Sequence, residues 1–539
     1  MKSYVPKTRK SYIMRLIVYA AITGVLVGAA VALFITAARI VISFIFSAHK
    51  AADTPLAITC LAMLTLLSCF AMAVLQTVTR TARGSGIPLT EAFARGMVKT
   101  NPLSSAAALV VGSLLSFLGG MPLGSEGPSI GIGGMIGEGV GRLVKQPVPM
   151  RRYLITGGAS AGLATAFNAP LTGIAFAVEE THRRFSPDLL LSAMTAVVMA
   201  TLTAQAIFYG FGQIAYLRAL DIHLGFTVLP YLAPSKMQGA WLFKIFGAAL
   251  VCGGVSALIA VAFNRAIEAL SKLFSRVHSA LLRLLPAFVL TAICGGAWYL
   301  TSGSGEAMLA EIGTDSALWL LILLVAVRFA LTVTASGSGA TGGLFIPMIA
   351  IGGLIGAIAA KLCVLCGMPA EYVPNITTVC IAAFFAASVR APISAIALSV
   401  ELTAGFVNLL PCAAAVAVAI IVADLTRTEP LYERMMDELS AAKAADKNMK
   451  LISVTGVVKA GSTICGKHVR NVLWPYNSIV VSLSRGDTAI VPDGETKLLD
   501  GDVITINADT VDPDDFRTQL REYIFIPETG QTTKERNNQ

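Results

Sequence analysis

A single carboxylate, Glu126, lies in a run of glycine, proline and aliphatic residues and is the first candidate for chemistry in this chain. Between Pro102 and Gly137 it is the only charged residue, so no base close to it in the sequence can neutralise it. The structural alternative is an acid that caps a helix N-terminus, which contributes about 0.3–1 kcal/mol at an exposed site. An ionisable residue in so apolar a stretch is costly and usually functional, so we expect Glu126 to have a functional role.

Glu126 belongs to the second of three turns that combine glycine with proline and precede apolar residues. Proline suits the first turn of a helix, so each turn predicts a helix that begins inside the apolar region. The first N–H groups of such a helix lack helical partners and together carry about half a positive charge. In hydrocarbon these groups must be satisfied, and an anion can do so. The three turns are Gly84, Ser85, Gly86, Ile87 and Pro88; Gly124, Ser125, Glu126, Gly127 and Pro128; and Gly343, Leu344, Phe345, Ile346 and Pro347.

The composition places these turns in an integral membrane protein. Of 539 residues, 55% are hydrophobic and 14% are charged, whereas soluble domains carry roughly 25% charged residues. A membrane-spanning helix needs about 20 apolar residues, and several uncharged runs are at least this long. We attribute the net charge of +9 to bases that flank the membrane, and those at the N-terminus indicate that it is cytoplasmic. The uncharged runs are Leu16–Ala38, Leu56–Thr79, Pro102–Ser125, Tyr153–Val178, Leu189–Leu217, Ile245–Asn264, Phe329–Ala360 and Leu402–Ala423.

The membrane part contains an internal repeat. Pro128–Gly137 matches Pro347–Gly356, and Ala169–Thr181 matches Ala391–Thr403, in the same order and at nearly the same offset. Repeats whose segments are interrupted by glycine and proline indicate a transport site at the interface between the two halves. Small residues also let helices pack closely, but close packing does not explain proline at matched positions after a glycine-rich turn.

Together with Tyr432, which follows Pro430 after the last apolar run, the three turns resemble those of the CLC family of chloride channels and chloride/proton exchangers. The resemblance covers about residues 11–436. It implies an all-α polytopic membrane fold with two repeats and with broken and re-entrant helices. We expect the repeats to be inverted, although the sequence itself does not show their orientation.

The resemblance also implies roles for individual residues. Ser85 and Tyr432 would offer hydroxyl donors to an anion at a central site, and the backbone N–H groups of Phe345 and Ile346 would complete that site. Glu126 would be the gating glutamate of an outer site. The other residues of this outer site would be Gly124, Ser125, Gly127 and Pro128.

The residue types fit transport of chloride, which prefers several weak donors to a full cation that would hold it too long. None of the three turns brings in a Lys or Arg after Arg83. An ionised Glu126 can occupy the same N–H groups as the anion, so it competes with the substrate. When protonated, the side chain leaves these N–H groups, and the anion can bind to them. Proton binding and anion binding are thereby coupled at one site.

Glu180 resembles the inner proton-transfer glutamate of the exchangers. The alternative is a residue at the membrane boundary that pairs with one of the bases at positions 182–184. The repeat aligns Glu179 with Glu401, which predicts that these two residues form a structural pair. Glu180 is then the additional, unrepeated acid, as a proton-transfer residue would be.

One turn residue departs from the family pattern, which commonly has a base where this chain has Ser125. The missing charge is expected to alter the anion affinity of the outer site or its gating. It affects the expected transport rate more than the expected transport mechanism. Ser85 in the first turn favours chloride over nitrate or fluoride, because the specialists for those anions differ at this position.

Beyond Arg427 the composition changes to that of a small soluble α+β domain. Alternating residues predict strands at 451–458, 477–486, 487–492 and 501–509, and a short helix at 466–474. Gly461–Val472, Pro475 and Val480–Ile506 resemble the C-terminal half of RCK/TrkA potassium-channel domains. This resemblance implies a dimeric module that binds a ligand or a partner, the alternative being passive dimerisation. The bases expected to meet a small anionic ligand, such as a nucleotide, are Lys467, Arg470 and Arg485.

We therefore expect a membrane domain over residues 1–433, a helical linker over 434–449 and a cytoplasmic regulatory domain over 450–539. The predicted function is chloride/proton exchange by a homodimer in a prokaryotic inner membrane, with both termini cytoplasmic. A passive voltage- or proton-gated chloride channel is the alternative. An enzyme is disfavoured because HExxH and paired intramembrane Asp are absent from the sequence, and the intact turns disfavour a sensor that has lost transport. We expect no cofactor, no metal and no nucleic acid; the lone C-x-x-C at Cys363 and Cys366 is a weak pattern.

Overall fold

The computed structural model describes residues 7–97, 101–181, 186–212, 235, 239–312, 316–403, 405–444, 450–460, 462, 464–472, 474–475, 478–510, 513–521 and 523–527. The predicted run Leu189–Leu217 extends beyond them, and the bases at positions 182–184 lie outside them. The α-helices are α1 (Lys7–Lys50), α2 (Pro55–Val78), α3 (Gly86–Ala94), α4 (Pro102–Leu118), α5 (Glu126–Leu143), α6 (Val148–Phe167), α7 (Pro170–Phe176), α8 (Pro187–Gly212), α9 (Ala240–Ser275), α10 (Ala280–Ala297), α11 (Glu306–Glu311), α12 (Leu318–Gly337), α13 (Phe345–Leu365), α14 (Val373–Val389), α15 (Pro392–Thr403), α16 (Leu409–Leu425), α17 (Leu431–Ala444) and α18 (Pro513–Leu520).

Among the described residues, nine helices are long and apolar enough to cross a membrane, which confirms the predicted integral membrane protein. These helices are α1, α2, α8, α9, α10, α12, α13, α14 and α16, the last two together with the short 3₁₀ turns that precede them. The uncharged run Phe329–Ala360 is divided at the third turn, as that turn predicts: α12 ends at Gly337, and α13 begins at Phe345.

The two repeats break their helices in the same way. In the first repeat α6 ends at Asn168, whose backbone is left-handed with φ 49°, and Pro170 begins α7. In the second repeat α14 ends at Arg390, also left-handed with φ 66°, and Pro392 begins α15. A left-handed residue ends a helix by redirecting the chain, and proline then starts the next one.

The predicted structural pair, Glu179 and Glu401, joins the repeats reciprocally. Glu179 accepts hydrogen bonds of 2.7 Å from two backbone N–H groups at the start of α15, and Glu401 accepts bonds of 2.7 and 2.9 Å at the start of α7. Each carboxylate also accepts a hydrogen bond from a hydroxyl in the same turn. The two acids do not bond to each other; each caps the helix of the opposite repeat, which confirms their structural role. The backbone donors are Leu171, Thr172, Ile393 and Ser394.

Close packing accounts for some of the glycines, as the alternative interpretation holds. Gly133 in α5 and Gly158 in α6 face each other, and a Cβ on either would collide with the carbonyl of the other. These helices therefore cross at backbone contact. The glycines of the turns instead allow the loops that connect the helices to approach each other closely.

The C-terminal domain is a five-stranded antiparallel sheet covered by α18. Its strands lie in the order β3–β2–β4–β1–β5, with a bulge between Val480 and Ser482. Alternate residues of β1, β2 and β4 fill a separate hydrophobic core with Phe516 and Leu520 of α18. The strands are β1 (Lys450–Val458), β2 (Ser478–Arg485), β3 (Thr488–Ile490), β4 (Val503–Thr510) and β5 (Ile524–Phe525).

The four predicted strands are present, but the predicted helix at 466–474 is wrong. Only a 3₁₀ turn, Val469–Asn471, forms there. The backbone of this segment is bonded elsewhere: Gly466 N–H donates to the Leu498 carbonyl at 2.7 Å, and Val469 N–H donates to the Thr496 carbonyl at 2.9 Å. N–H groups committed to a neighbouring chain segment cannot make the i to i−4 bonds of a helix.

Candidate anion and proton site

The second and third glycine–proline turns are joined by a pair of backbone hydrogen bonds. Gly124 N–H donates to the Gly343 carbonyl at 2.8 Å, and Gly343 N–H donates to the Gly124 carbonyl at 2.7 Å. A Cβ on Gly343 would lie 2.6 Å from the nitrogen of Gly127 and 2.8 Å from Glu126 Oε2, so the position has no room for a side chain. Glycine is therefore required here for close approach of the two loops.

The first turn meets the other two at Gly127. A Cβ on Gly127 would lie 2.5 Å from Ser85 Oγ and 2.8 Å from the Cα of Gly343. The N-termini of α3, α5 and α13 consequently lie around one buried point. Their N–H groups without helical partners make this point favourable for an anion.

The predicted turn residues are all buried or half-buried. Gly84 has a positive φ of 76°, and its N–H donates to the Gly339 carbonyl at 3.1 Å, which holds the first turn against the end of α12. Ser125 is half-buried and ends the turn before α5 without a side-chain capping bond. The remaining turn residues lie in the first turns of α3, α5 and α13: Gly86, Ile87, Pro88, Pro128, Phe345, Ile346 and Pro347.

Glu126 lies between the second and third turns and is 1% exposed. Its carboxylate packs against Gly124 and Gly343, where a Cβ on either residue would meet Oε2. Neither oxygen makes a hydrogen bond of regular geometry to a residue that the structure describes, but the backbone N–H groups of Ser125, Glu126 and Ile346 lie close enough to interact with the carboxylate. A buried ionised carboxylate held only by such weak contacts is energetically costly, so the side chain is suited to taking up a proton or to moving. The side chain is turned away from lipid, as the proposed gating role requires.

The two predicted hydroxyl donors belong to different elements. Ser85 is 5% exposed, and its Oγ accepts a hydrogen bond from Ile87 N–H at 3.4 Å, which leaves the hydroxyl proton free to donate. Tyr432 is fully buried in the first turn of α17. Its ring is stacked on that of Phe345, with centroids 5.9 Å apart and an interplanar angle of 17°. Phe345 in turn contacts Phe385 of α14, with centroids 4.7 Å apart.

Glu180 lies in a π-helical turn, Ala177–Thr181, that continues α7. This turn contacts α6 and α8, and Glu179 within it is bonded to α15. Single π-turns are frequent at functional sites. The bases at 182–184, which the alternative for Glu180 requires, lie outside the described residues.

The three bases of the C-terminal domain are each paired with a different carboxylate. Lys467 Nζ is 2.5 Å from Oδ2 of Asp188 in α8, and Arg470 pairs with Glu495. Arg485 bonds to both oxygens of Asp502, with Nε 2.8 Å from Oδ1 and Nη2 2.9 Å from Oδ2. Lys467 is thus used to contact the membrane domain, and the structure does not bring the three bases to one shared cluster.

Burial lowers the pKa of the Lys467 ammonium, but the contributions of Tyr153 and Asp188 outweigh it and hold this pKa above its usual value. Burial likewise raises the pKa of Asp502, and Arg485 with the N–H of Leu499 brings it below its usual value. The Lys467 ammonium and the Asp502 carboxylate are therefore charged at neutral pH.

The sequence interpretation missed the buried arginines of the membrane domain, of which Arg328 is the clearest example. Arg328 of α12 is 1% exposed and donates to the carbonyls of Gly303, Leu300 and Ser302. It holds the loop before α11. Among the described residues no group of three or more His, Cys, Asp or Glu side chains forms a possible metal site, and Cys363 and Cys366 are free at the end of α13.

Comparison with known proteins agrees with this geometry. The family described as voltage gated chloride channel matches residues 67–424, and the TrkA-C domain matches residues 456–519. The chain is 32% identical over 371 residues to the H(+)/Cl(-) exchange transporter ClcA of Vibrio parahaemolyticus, covering 66% of this chain and 74% of that one. It is 30% identical over 459 residues to the ClcA of Cronobacter sakazakii, covering 80% and 92%.

Solved structures show the same fold. A slow cyanobacterial Cl-/H+ antiporter superposes with a TM-score of 0.69 at 28% identity, covering 81% of this chain and 99% of that one. A CLC-type fluoride/proton antiporter superposes with a TM-score of 0.60 at 22% identity, covering 78% and 97%, and supports the fold alone. The chain therefore belongs to the CLC, or voltage gated chloride channel, family, with a TrkA-C domain at its C-terminal end.

Proposed function

We propose that this protein exchanges chloride for protons across a membrane. The observation that carries the proposal is the position of Glu126, whose carboxylate is buried between Gly124 and Gly343 and close to N–H groups at the starts of α5 and α13. The relatives named H(+)/Cl(-) exchange transporter and the cyanobacterial Cl-/H+ antiporter support it.

The anion path follows from the donors around this point. Chloride binds to the hydroxyls of Ser85 and Tyr432 and to the N–H groups of Phe345 and Ile346, all of them weak donors without full charge. The ionised Glu126 carboxylate interacts with the N–H groups at the neighbouring helix N-termini and excludes the anion from the outer site. Protonation removes its negative charge and with it the attraction to these N–H groups, so the side chain leaves and chloride enters.

Glu180 carries the proton on the opposite side of the anion path. Its turn is held on one side by the bonds of Glu179 to α15 and on the other by contacts with α6 and α8. An acid that is not itself a chloride ligand lets protons reach Glu126 along a route of their own. A passive chloride channel of the same fold needs no such acid, and the names of the relatives favour exchange over this alternative.

We also propose a homodimer in a bacterial inner membrane, with both termini cytoplasmic. The contact of Lys467 with Tyr12, near the start of α1, supports the placement of the N-terminal end and the C-terminal domain on the same side. A small anionic ligand of the C-terminal domain is a further prediction. Such a ligand would have to displace a carboxylate from Lys467, Arg470 or Arg485.

Purified protein in liposomes under an outward chloride gradient tests the exchange. We expect chloride efflux with simultaneous proton uptake, and neither in protein-free liposomes. Glu180→Gln should keep chloride efflux and stop proton uptake, because the anion donors remain while the proton route is cut. Undiminished proton uptake in Glu180→Gln would refute the role of this residue, and chloride efflux without proton uptake in the unmodified protein would support the channel.

A further inference from the structure

A lysine of the C-terminal domain is half-buried against the membrane domain. The side chain of Lys467 is 16% exposed, and its Nζ lies 2.5 Å from Asp188 Oδ2 and 3.4 Å from the hydroxyl of Tyr153. The same atom lies 5.7 Å from the ring centroid of Tyr12 and 5.4 Å from that of Tyr153. A buried ammonium is unfavourable without partners, and here it has a carboxylate, a hydroxyl and two aromatic rings.

A second contact lies beside the first. Arg152, the neighbour of Tyr153 in α6, donates from Nη2 to Oε1 of Gln519 in α18 at 2.8 Å. The C-terminal domain thus contacts the membrane domain through both its lysine loop and its covering helix. Two contacts to consecutive residues of α6 fix the orientation of the domain as well as its distance.

The contacted helices are those that pack against the turn of Glu180. Asp188 lies in the first turn of α8, and Tyr153 lies in α6. Ser192 Oγ of α8 donates to the Tyr153 carbonyl at 2.9 Å, so the two helices are joined at the lysine site. Both helices contact the π-helical turn Ala177–Thr181. A chain of contacts between neighbouring elements therefore leads from Lys467 to the π-helical turn that contains Glu180.

The anion site is supported by other contacts. Arg434 of α17, two residues after Tyr432, donates to the Asn264 carbonyl and to Glu268 of α9, both at 3.2 Å. Ser271 Oγ of α9 donates to Glu438 of α17 at 2.8 Å. α17 also packs on α3, where Met436 lies in one hydrophobic cluster with Leu89 and Phe93. The position of Tyr432 thus depends on α3 and α9, whereas the position of the Glu180 turn depends on α6, α8 and α15.

We propose that Lys467 is a positioning residue for proton transfer: the C-terminal domain, docked on Asp188 and Tyr153, holds the turn that carries Glu180 in its proton-conducting position. The inference rests on the proposed function, in which Glu180 transfers protons. It assigns to the C-terminal domain control of protons carried per chloride, with chloride binding left intact.

The test compares Lys467→Met, Lys467→Arg, Asp188→Asn and the exchanged pair Lys467→Asp/Asp188→Lys in liposomes. Because the turn that contains Glu180 loses one of its supports, we expect Lys467→Met and Asp188→Asn to lower the protons carried per chloride by about threefold or more. Lys467→Arg and the exchanged pair should restore much of the ratio. Lys459→Met is the matched control, because Lys459 is exposed and bonds to the Arg521 carbonyl within its own domain.

Hydrogen exchange of residues 186–192, measured on the same proteins, reports docking without reference to transport. We expect faster exchange there in Lys467→Met and unchanged exchange in Lys459→Met. Faster exchange with an unchanged proton-to-chloride ratio would overturn the inference, and so would unchanged exchange in Lys467→Met. Chloride movement without protons in the unmodified protein would instead overturn the proposed function, and with it this inference.

Discussion

The aromatic ring of Tyr432 lies parallel to that of Phe345, with the ring centroids 5.9 Å apart. The stack joins the first turn of α17 to the first turn of α13, so a hydroxyl donor and a set of backbone donors are held by one contact. Stacked aromatic pairs contribute about 0.5–1.5 kcal/mol beyond the area they bury. The stack therefore positions the donors as well as burying the rings.

The hydroxyl and the ring of Tyr432 can be separated by mutation. Tyr432→Phe keeps the stack and removes the hydroxyl, and a hydrogen bond to a charged group contributes about 1.5–3 kcal/mol, so we expect chloride affinity to fall about tenfold or more. Titration calorimetry with chloride measures this. Tyr372→Phe is the control, since Tyr372 is also buried and packed against an aromatic ring, that of Trp241. Equal affinity in Tyr432→Phe and the unmodified protein would exclude the hydroxyl as a ligand.

The bridge between Gly124 and Gly343 predicts a strict requirement for glycine. In Gly343→Ala the new Cβ would lie 2.6 Å from the nitrogen of Gly127, so the loops must separate, and we expect loss of transport and a lower unfolding temperature. Gly139→Ala in α5 is the matched control, because a Cβ there meets nothing within 4 Å. Alanine is better than glycine in a helix by about 1 kcal/mol, so this control should be neutral or stabilising. Normal transport in Gly343→Ala would contradict the described loop contact.

The reciprocal capping of the repeats predicts a stability effect. Glu401→Ala leaves two backbone N–H groups at the start of α7 without their acceptor, which costs about 1–3 kcal/mol for each unsatisfied group that stays buried. We expect a lower unfolding temperature in detergent, and a similar decrease for Glu179→Ala. Glu371→Ala, at an exposed acid, serves as the control. Unfolding temperatures equal to that of this control would show that the caps contribute nothing.

The Arg485–Asp502 pair predicts a different pH dependence of stability in the unmodified protein and in Arg485→Met. In the unmodified protein the pKa of Asp502 lies below its unfolded value, so the pair stabilises the domain above that value and the stabilisation is lost as the pH falls through the folded pKa. In Arg485→Met burial still raises the pKa of Asp502 and only the N–H of Leu499 still lowers it, so the stabilisation that is lost on acidification should be smaller than in the unmodified protein.

Hydrogen exchange of β2 and β4 between pH 4 and pH 7, corrected for intrinsic rates, measures both slopes. Asp502→Asn combined with Arg485→Met should remove the pH dependence that this carboxylate causes. The same slope in the unmodified protein and in Arg485→Met would contradict the assignment.

The membrane site was predictable because its signals are local. Glycine, proline and one acid are conspicuous within an apolar run, and each turn sets the start of its own helix whatever the rest of the fold does. Glu126 was therefore found from its neighbours in sequence. The pairing of Glu179 with Glu401 was found from the repeat, although their reciprocal capping, with no direct bond between them, required the structure.

The contacts of the C-terminal domain were not predictable in the same way. Lys467 and Asp188 are separated by 279 residues, and neither belongs to a pattern that marks it as different from a solvated charge. The helix predicted at 466–474 was wrong because its N–H groups bond to residues 494–498, a tertiary contact that outweighs local helix propensity. Arg328 adjoins an apolar run and was missed because its carbonyl partners come from another loop.

The central claim is that the Glu126 carboxylate and chloride compete for the same helix N-termini. Calorimetric titration of chloride at pH 5 and at pH 8, on the unmodified protein and on Glu126→Gln, tests it most directly. We predict that the chloride affinity of the unmodified protein falls as the pH rises, because the ionised carboxylate competes. We predict that Glu126→Gln has the same chloride affinity at both pH values, and that at pH 8 this affinity exceeds that of the unmodified protein. The same decrease of affinity in both proteins would contradict the competition.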